Sequence, residues 1–190
     1  MAGHFDRIRH EGDDQDRLTC RDCGYIAYEN PKVVVGSVVA VPGAGDGAVL
    51  LCRRAIEPRR GFWTLPAGYL EMGETVEEGA RREAWEEAQA RIETQGVLAV
   101  YSIARLGQVQ VMFRAQLDPP DFAAGPESLE VRAFPWNEIP WDELAFPTVR
   151  WALQAWREGA GHPGPAVLNP PEDIRGTRPL PGPVLAEDAG

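Results

Sequence analysis

The chain has 190 residues, 29 acidic side chains against 19 Lys and Arg, and a formal net charge of −10. That balance argues against a polyanion binder, whose surface needs a basic face, so nucleic acid is not an expected partner. No apolar run approaches the roughly 18 residues needed to cross a bilayer, and Met1 to Asp16 is polar. The expectation is a protein of the cytoplasm with no membrane contact.

Residues 1–30 form an N-terminal segment carrying Cys20 and Cys23 in a CRDCG knuckle, and Cys52 lies alone in an apolar run. A zinc ribbon needs four ligands; one CxxC pair supplies two, with His4 and His10 the nearby substitutes. Bound Zn²⁺ is therefore not expected. Next, KVVVGSVVAV from Lys32 to Val41 is rich in β-branched residues and predicts a buried strand. A glycine-rich turn from Pro42 to Gly47 leads into AVLLCRR, a second strand, and the two predict a hairpin. Arg53, Arg54, Arg59 and Arg60 make a local basic cluster in an acidic chain. Arginine's planar fork suits phosphate oxygens, so Arg53, Arg59 and Arg60 are candidates for clamping a substrate phosphate; solvated loop charges are the alternative.

The most informative stretch runs from Gly68 to Ala90, GYLEMGETVEEGARREAWEEAQA. Thr75-Val76-Glu77-Glu78 has the S/T-x-x-E form of a capping box and predicts a helix start. Val76, Ala80, Ala84, Ala88 and Ile92 recur every four residues and predict a narrow buried stripe. Beside it Glu83, Glu86 and Glu87, at i, i+3 and i+4, converge on one edge. Like charges at that spacing repel, so the cluster asks for a cation; carboxylates suit a hard ion such as Mg²⁺, which takes one or two of them together with water and substrate phosphate oxygens. The alternative is an ordinary acidic helix face paired with Arg81 and Arg82.

Gly68, five residues, Glu74, seven residues, then Arg82-Glu83-Ala84-Trp85-Glu86-Glu87 resembles the Nudix box. Two departures stand out: Gln89 occupies the position of the last glycine, and Ala84 and Ala90 are smaller than the usual aliphatics. Glycine there would terminate the helix, so Gln89 predicts a different ending or a run on towards Ile92. The resemblance implies that Glu83, Glu86 and Glu87 are metal-binding and catalytic, that the Gly68 carbonyl is a further ligand, and that Glu74 and Arg82 form a structural ion pair. It implies Mg²⁺ or Mn²⁺ as cofactor. Around Cys20 the sequence is similar to the end of a zinc ribbon found before the Nudix domain in a subgroup of ADP-ribose and FAD pyrophosphatases. There another CxxC would fall before Met1, so either a pair is lost or the start lies upstream.

After the box, GVLAVYSIARL, QVQVMFRAQL and VRAFPW predict three more strands, and Val149, Ala152, Leu153 and Trp156 share a face of a helix over Thr148–Glu158. The predicted fold is α/β (α+β), a Nudix α/β/α sandwich over residues 31–158 with a mixed sheet and flanking helices. Between strands, Gly125-Pro126 delivers Glu127 and Glu130. Related hydrolases carry a metal-binding or basic glutamate in this region, so both are candidates beside Glu83, Glu130 in the catalytic set and Glu127 towards substrate. For a flat ring, Tyr28, Phe62, Tyr101, Phe122 and Trp141 lie near predicted loop ends. Residues 159–190 are dense in Pro and Gly and are read as disordered or as a draped arm; exchange of the arm in a homodimer is the alternative.

The expected activity is metal-dependent hydrolysis of the pyrophosphate bond of a nucleoside diphosphate linked to another group. ADP-ribose comes first and FAD second, with AMP released; the partner is a small dinucleotide or nucleoside diphosphate. NADH or nucleoside triphosphates are alternatives, as is an idle Nudix domain that senses nucleotides; an RNA-processing module is disfavoured by the acidic balance.

Overall fold

The computed structural model describes residues 4–119, 121–159, 164 and 166–177. Two compact units emerge, Met1–Pro31 and Lys32–Gly190. In the first, β1 (Phe5–Arg9), β2 (Asp16–Cys20) and β3 (Ile26–Ala27) form an antiparallel sheet. Cys20 is buried there and Cys23 exposed, both reduced. His10 is engaged with the Thr19 hydroxyl at 2.8 Å.

The second unit is built on β4 (Lys32–Ala40), β5 (Val49–Arg54), β6 (Trp63–Thr64), β7 (Ala67–Tyr69), α1 (Val76–Ala88), β8 (Ile92–Ile103), β9 (Gln108–Leu117), β10 (Ser128–Phe134) and α2 (Pro147–Glu158). The main sheet has the order β10-β5-β4-β9-β8. Its β4–β9 pair is parallel and the others are antiparallel, which makes the sheet mixed. The period of two along each strand assigns the two faces. Val39 of β4 with Leu50 and Cys52 of β5 pack against Ala84 and Ala88 of α1. Val38, Val49 and Leu51 join Val149, Ala152 and Leu153 of α2 in a separate cluster. One helix therefore covers each face, the α/β/α arrangement expected. Among the described residues, no helix is long and apolar enough to cross a membrane.

The predicted hairpin survives only at its turn. β4 and β5 pair at Ala40–Val49 and then part, because β7 takes the edge of β4 at Val34–Gly36 and β6 pairs β5 at Cys52 and Arg53. That opening admits the loop leading into α1.

The start of α1 follows the capping box. The Glu78 N–H donates to Thr75 Oγ1 at 3.2 Å and the Thr75 N–H to Glu78 Oε2 at 2.7 Å. Its end corrects the expectation. The helix stops at Ala88, and Gln89 itself takes the left-handed conformation, φ 46° and ψ 28°, with the Ala90 N–H donating to the Ala84 carbonyl. A glutamine thus does the glycine's task, and Ile92 opens β8 instead of extending the helical stripe.

Of the tail, the described part is residue 164 and residues 166–177. This segment lies along β8, with the Val100 N–H donating to the Val167 carbonyl and the Val167 N–H to Leu98; Val184 and Leu185 fall outside the described residues.

Candidate active site

Arg82 organises the acidic edge of α1. Its Nε and Nη2 donate to the two oxygens of Glu74 at 3.0 and 2.8 Å, and Nη2 also donates to the Tyr69 carbonyl. The Glu71 N–H adds a donor to Glu74. The guanidinium, followed by that N–H, pulls the Glu74 carboxyl down to about 2. With its fork committed to the loop, Arg82 turns Nη1 to Glu83 Oε1 at 2.7 Å and Glu86 Oε2 at 3.0 Å.

Glu83 and Glu87 are buried, Glu86 is exposed. Burial raises Glu83, opposed by Arg82. Burial pushes Glu87 up to about 8; the Ala67 N–H at 3.1 Å and the Arg54 charge oppose that shift, and the Glu83 and Glu127 charges add to it. At both groups burial outweighs the opposing hydrogen bonds and charges. Among the described residues no three His, Cys, Asp or Glu side chains stand close enough together to hold an ion as they are oriented. The reason is local: Arg82 draws Glu83 and Glu86 towards itself, while Glu87 turns to Ala67. The donors nevertheless fit a hard divalent cation, being three carboxylates on one helix edge beside a backbone turn. Gly68 matters for that turn, since a Cβ there would run into the Glu83 carboxylate.

The opposite bank is set by Gly125. Its N–H donates to the Glu87 carbonyl at 3.0 Å, and a Cβ would collide with the Glu86 carbonyl oxygen. Only glycine lets this loop rest on the last turn of α1. Glu127 is thereby carried to within electrostatic reach of Glu83 and Glu87.

These groups line one end of a cleft of about 1090 Å³. Arg54 and Glu127 are on its wall, as are Gly68, Glu83, Glu86 and Glu87. Arg53, Arg59, Arg60 and Glu130 are not among its lining residues. Arg53 donates to the Gly61 carbonyl and lies 3.8 Å from Glu130, its neighbour across β5 and β10. Arg59 donates to the Ala145 carbonyl and covers the Phe62 ring, and Arg60 faces solvent. A signal for Arg54 was present in the sequence: Leu50, Cys52 and Arg54 alternate onto the α1 face, which turns Arg53 the other way. Of the aromatics, Tyr101 is core against Trp151 and Trp141 packs on Trp136. The rings at the cleft are Tyr69, Trp85, Phe146 and Trp151, brought together from β7, α1 and α2 with its N-cap, and no local pattern marks them.

Residues 32–152 match the model of the NUDIX domain. A solved NUDIX hydrolase from Nitrosomonas europaea is 44% identical, with a TM-score of 0.79 over 88% of this chain and 94% of that one. The ADP-ribose pyrophosphatase of Methanocaldococcus jannaschii is 32% identical over 126 residues, 64% of this chain and 71% of that protein. A MutT-like protein of Streptomyces ambofaciens is 39% identical over 87 residues, 46% of this chain; the match spans only about half of that relative, 54% of its length. With the Glu74–Arg82 clasp and the three glutamates of α1 standing inside the matched span, this chain belongs to the Nudix hydrolase family.

Proposed function

We propose that the protein hydrolyses the diphosphate of a nucleoside diphosphate joined to a second group, with ADP-ribose the preferred substrate and FAD second. The observation carrying this reading is the cleft itself. At one end it has Glu83, Glu86, Glu87 and Arg54; along its floor are Gln110 and Met112, with Trp151 beyond. Its volume of about 1090 Å³ lies at the upper end of small-molecule sites, which suits a two-part nucleotide. The similarity to the Methanocaldococcus jannaschii ADP-ribose pyrophosphatase supports the same class.

Glu83, Glu86, Glu87 and the Gly68 carbonyl would hold Mg²⁺ or Mn²⁺. Such an ion, when bound, neutralises diphosphate charge and acidifies water. The chain's own groups do the rest. Arg54 pairs with a non-bridging phosphate oxygen through its planar fork. Glu127, facing the glutamates across the cleft, accepts a proton from the attacking water. The new P–O bond forms as the bond from phosphorus to the bridging oxygen breaks, leaving AMP and a phosphorylated partner. Glu74 keeps Arg82, and with it the Gly68 turn, in register with α1.

The test is incubation with ADP-ribose, FAD, NADH and nucleoside triphosphates in Mg²⁺ or Mn²⁺, with AMP measured by chromatography. AMP from ADP-ribose, abolished by a chelator, is the expected result. Metal-dependent turnover of triphosphates alone would refute the substrate assignment.

A further inference from the structure

The segment 166–177 is fastened to β8 by side-chain as well as backbone bonds. β8 is an edge strand of the sheet, and an edge leaves backbone groups in need of partners. Val167 supplies two such bonds, to Leu98 and Val100. Further along, Asn169 imitates a strand with its amide. The Ser102 N–H donates to Asn169 Oδ1 at 2.7 Å, and Asn169 Nδ2 donates back to the Ser102 carbonyl at 2.9 Å. The same Nδ2 donates to the Asp173 carbonyl at 3.2 Å, which ties the turn that follows. The Ala104 N–H then donates to the Arg175 carbonyl, and Arg105 Nε to the Gly176 carbonyl. Gly176, buried against Ile103, is itself part of the cleft wall.

The sheet supplies a ruler. Gly68, Val35, Val111 and Val100 are register partners across β7, β4, β9 and β8, and Val167 of the segment bridges Ala99 beside Val100. Four strand spacings separate the glutamate end from this strap, roughly 19 Å. Between them the floor presents Gln108, Gln110 and Met112, alternate residues of β9, and Ile103 and Leu106 close the far end. Gln108 donates to Tyr69 Oη at 3.0 Å. An apolar slot with a glutamine amide suits a flat heteroaromatic ring, whose faces need apolar contact and whose edge needs both a donor and an acceptor.

We propose that Asn169 is a positioning residue for substrate recognition: by pinning residues 166–177 to β8 it sets the cleft wall that receives the base of the nucleotide. This rests on the nucleoside diphosphate reading above and assigns the end of the cleft away from the glutamates. The experiment compares the full chain with its Asn169→Ala variant, measuring AMP and ribose 5-phosphate binding by calorimetry and ADP-ribose turnover in parallel. AMP affinity should fall about tenfold, the worth of one well-formed hydrogen bond, with ribose 5-phosphate affinity unchanged within about twofold. For ADP-ribose, KM should rise by a similar factor while kcat holds. A purely structural role would lower the melting temperature and leave the ratio of the two affinities as it was, and that result overturns the proposal. Should Asn169→Ala not fold, Gly176→Ala tests the same wall, because its methyl would press on Ile103 Cδ1 from a backbone at φ +63°. AMP binding without ADP-ribose turnover in the unaltered protein would refute the substrate reading, and the AMP comparison would still decide the role of the strap. No binding of AMP by the unaltered protein would overturn the assignment of the base.

Discussion

Arg82 holds both oxygens of Glu74, at 2.8 and 3.0 Å, and with its remaining nitrogen reaches Glu83 and Glu86 on the helix edge. One guanidinium thus joins the loop before α1 to the acidic groups on α1. The pair titrates in acid. Glu74 is held down to about 2, whereas an unfolded chain leaves it near 4.5. Its contribution to stability is therefore complete above about pH 4.5 and disappears as pH falls through about 2. Glu74→Gln should flatten the thermal stability curve across that acid window, measured as melting temperature against pH. A curve parallel to that of the unaltered protein would refute the pairing.

Glu87 behaves with the opposite sign. Burial raises it to about 8, so the folded state keeps a proton that the unfolded state gives up from about pH 4.5. Chelated protein should lose stability as pH rises from about 4.5 to about 8 through this group. Glu87→Gln removes that penalty, keeps an oxygen for the Ala67 N–H, and abolishes most turnover. We expect chelated Glu87→Gln protein at pH 8 to melt roughly 3–10 °C higher, the equivalent of about 1–3 kcal/mol for a domain of this size. A lower melting temperature, or full activity, would contradict the role given to Glu87.

The arginine cluster divides by place: Arg54 is on the cleft wall and Arg60 faces solvent from the loop after β5. Arg54→Ala should reduce kcat/KM about 10- to 100-fold, in line with a charged hydrogen bond to phosphate. Arg60→Ala should stay within about twofold. Steady-state kinetics with ADP-ribose decide between them, and equal losses would show that the cluster acts only through its net charge.

Glu127 and Glu130 divide similarly. Glu127→Gln should lower kcat by about 10²-fold or more if it takes the proton of the attacking water. Glu130→Gln loses only an ionic neighbour of Arg53 at 3.8 Å and should leave kcat nearly unchanged. The reverse ranking would return the base to Glu130.

Gln89 adopts a conformation that L residues enter at a cost of about 1 kcal/mol. Gln89→Gly should therefore stabilise the protein, by about 2–4 °C in melting temperature. No gain would mean that the glutamine side chain compensates for its backbone.

Local codes were readable in the chain. The capping box of Thr75 and Glu78, the Glu74–Arg82 spacing and the convergence of Glu83, Glu86 and Glu87 all depend on helical geometry over a few residues, which sequence spacing expresses directly. The strands of β4, β5 and β9 were legible for the same reason, since their apolar character serves two covered faces. Other features were not local. Whether Glu127 or Glu130 meets the glutamates depends on Gly125 resting against the carbonyl of Glu86, a contact made by residues far apart in sequence. The opening of the β4–β5 hairpin depends on β6 and β7 taking the vacated edges. The place of residues 166–177 depends on an edge of β8 that no composition rule exposes, because proline and glycine describe how a segment avoids regular structure and not which neighbour satisfies its backbone. Sequence by itself determined the family and its acidic motif, since these are written in fixed spacings along one helix and its leading loop. Tertiary structure alone decided which arginine, which glutamate and which rings share the cleft, because those choices rest on strand register and on the approach of distant backbones.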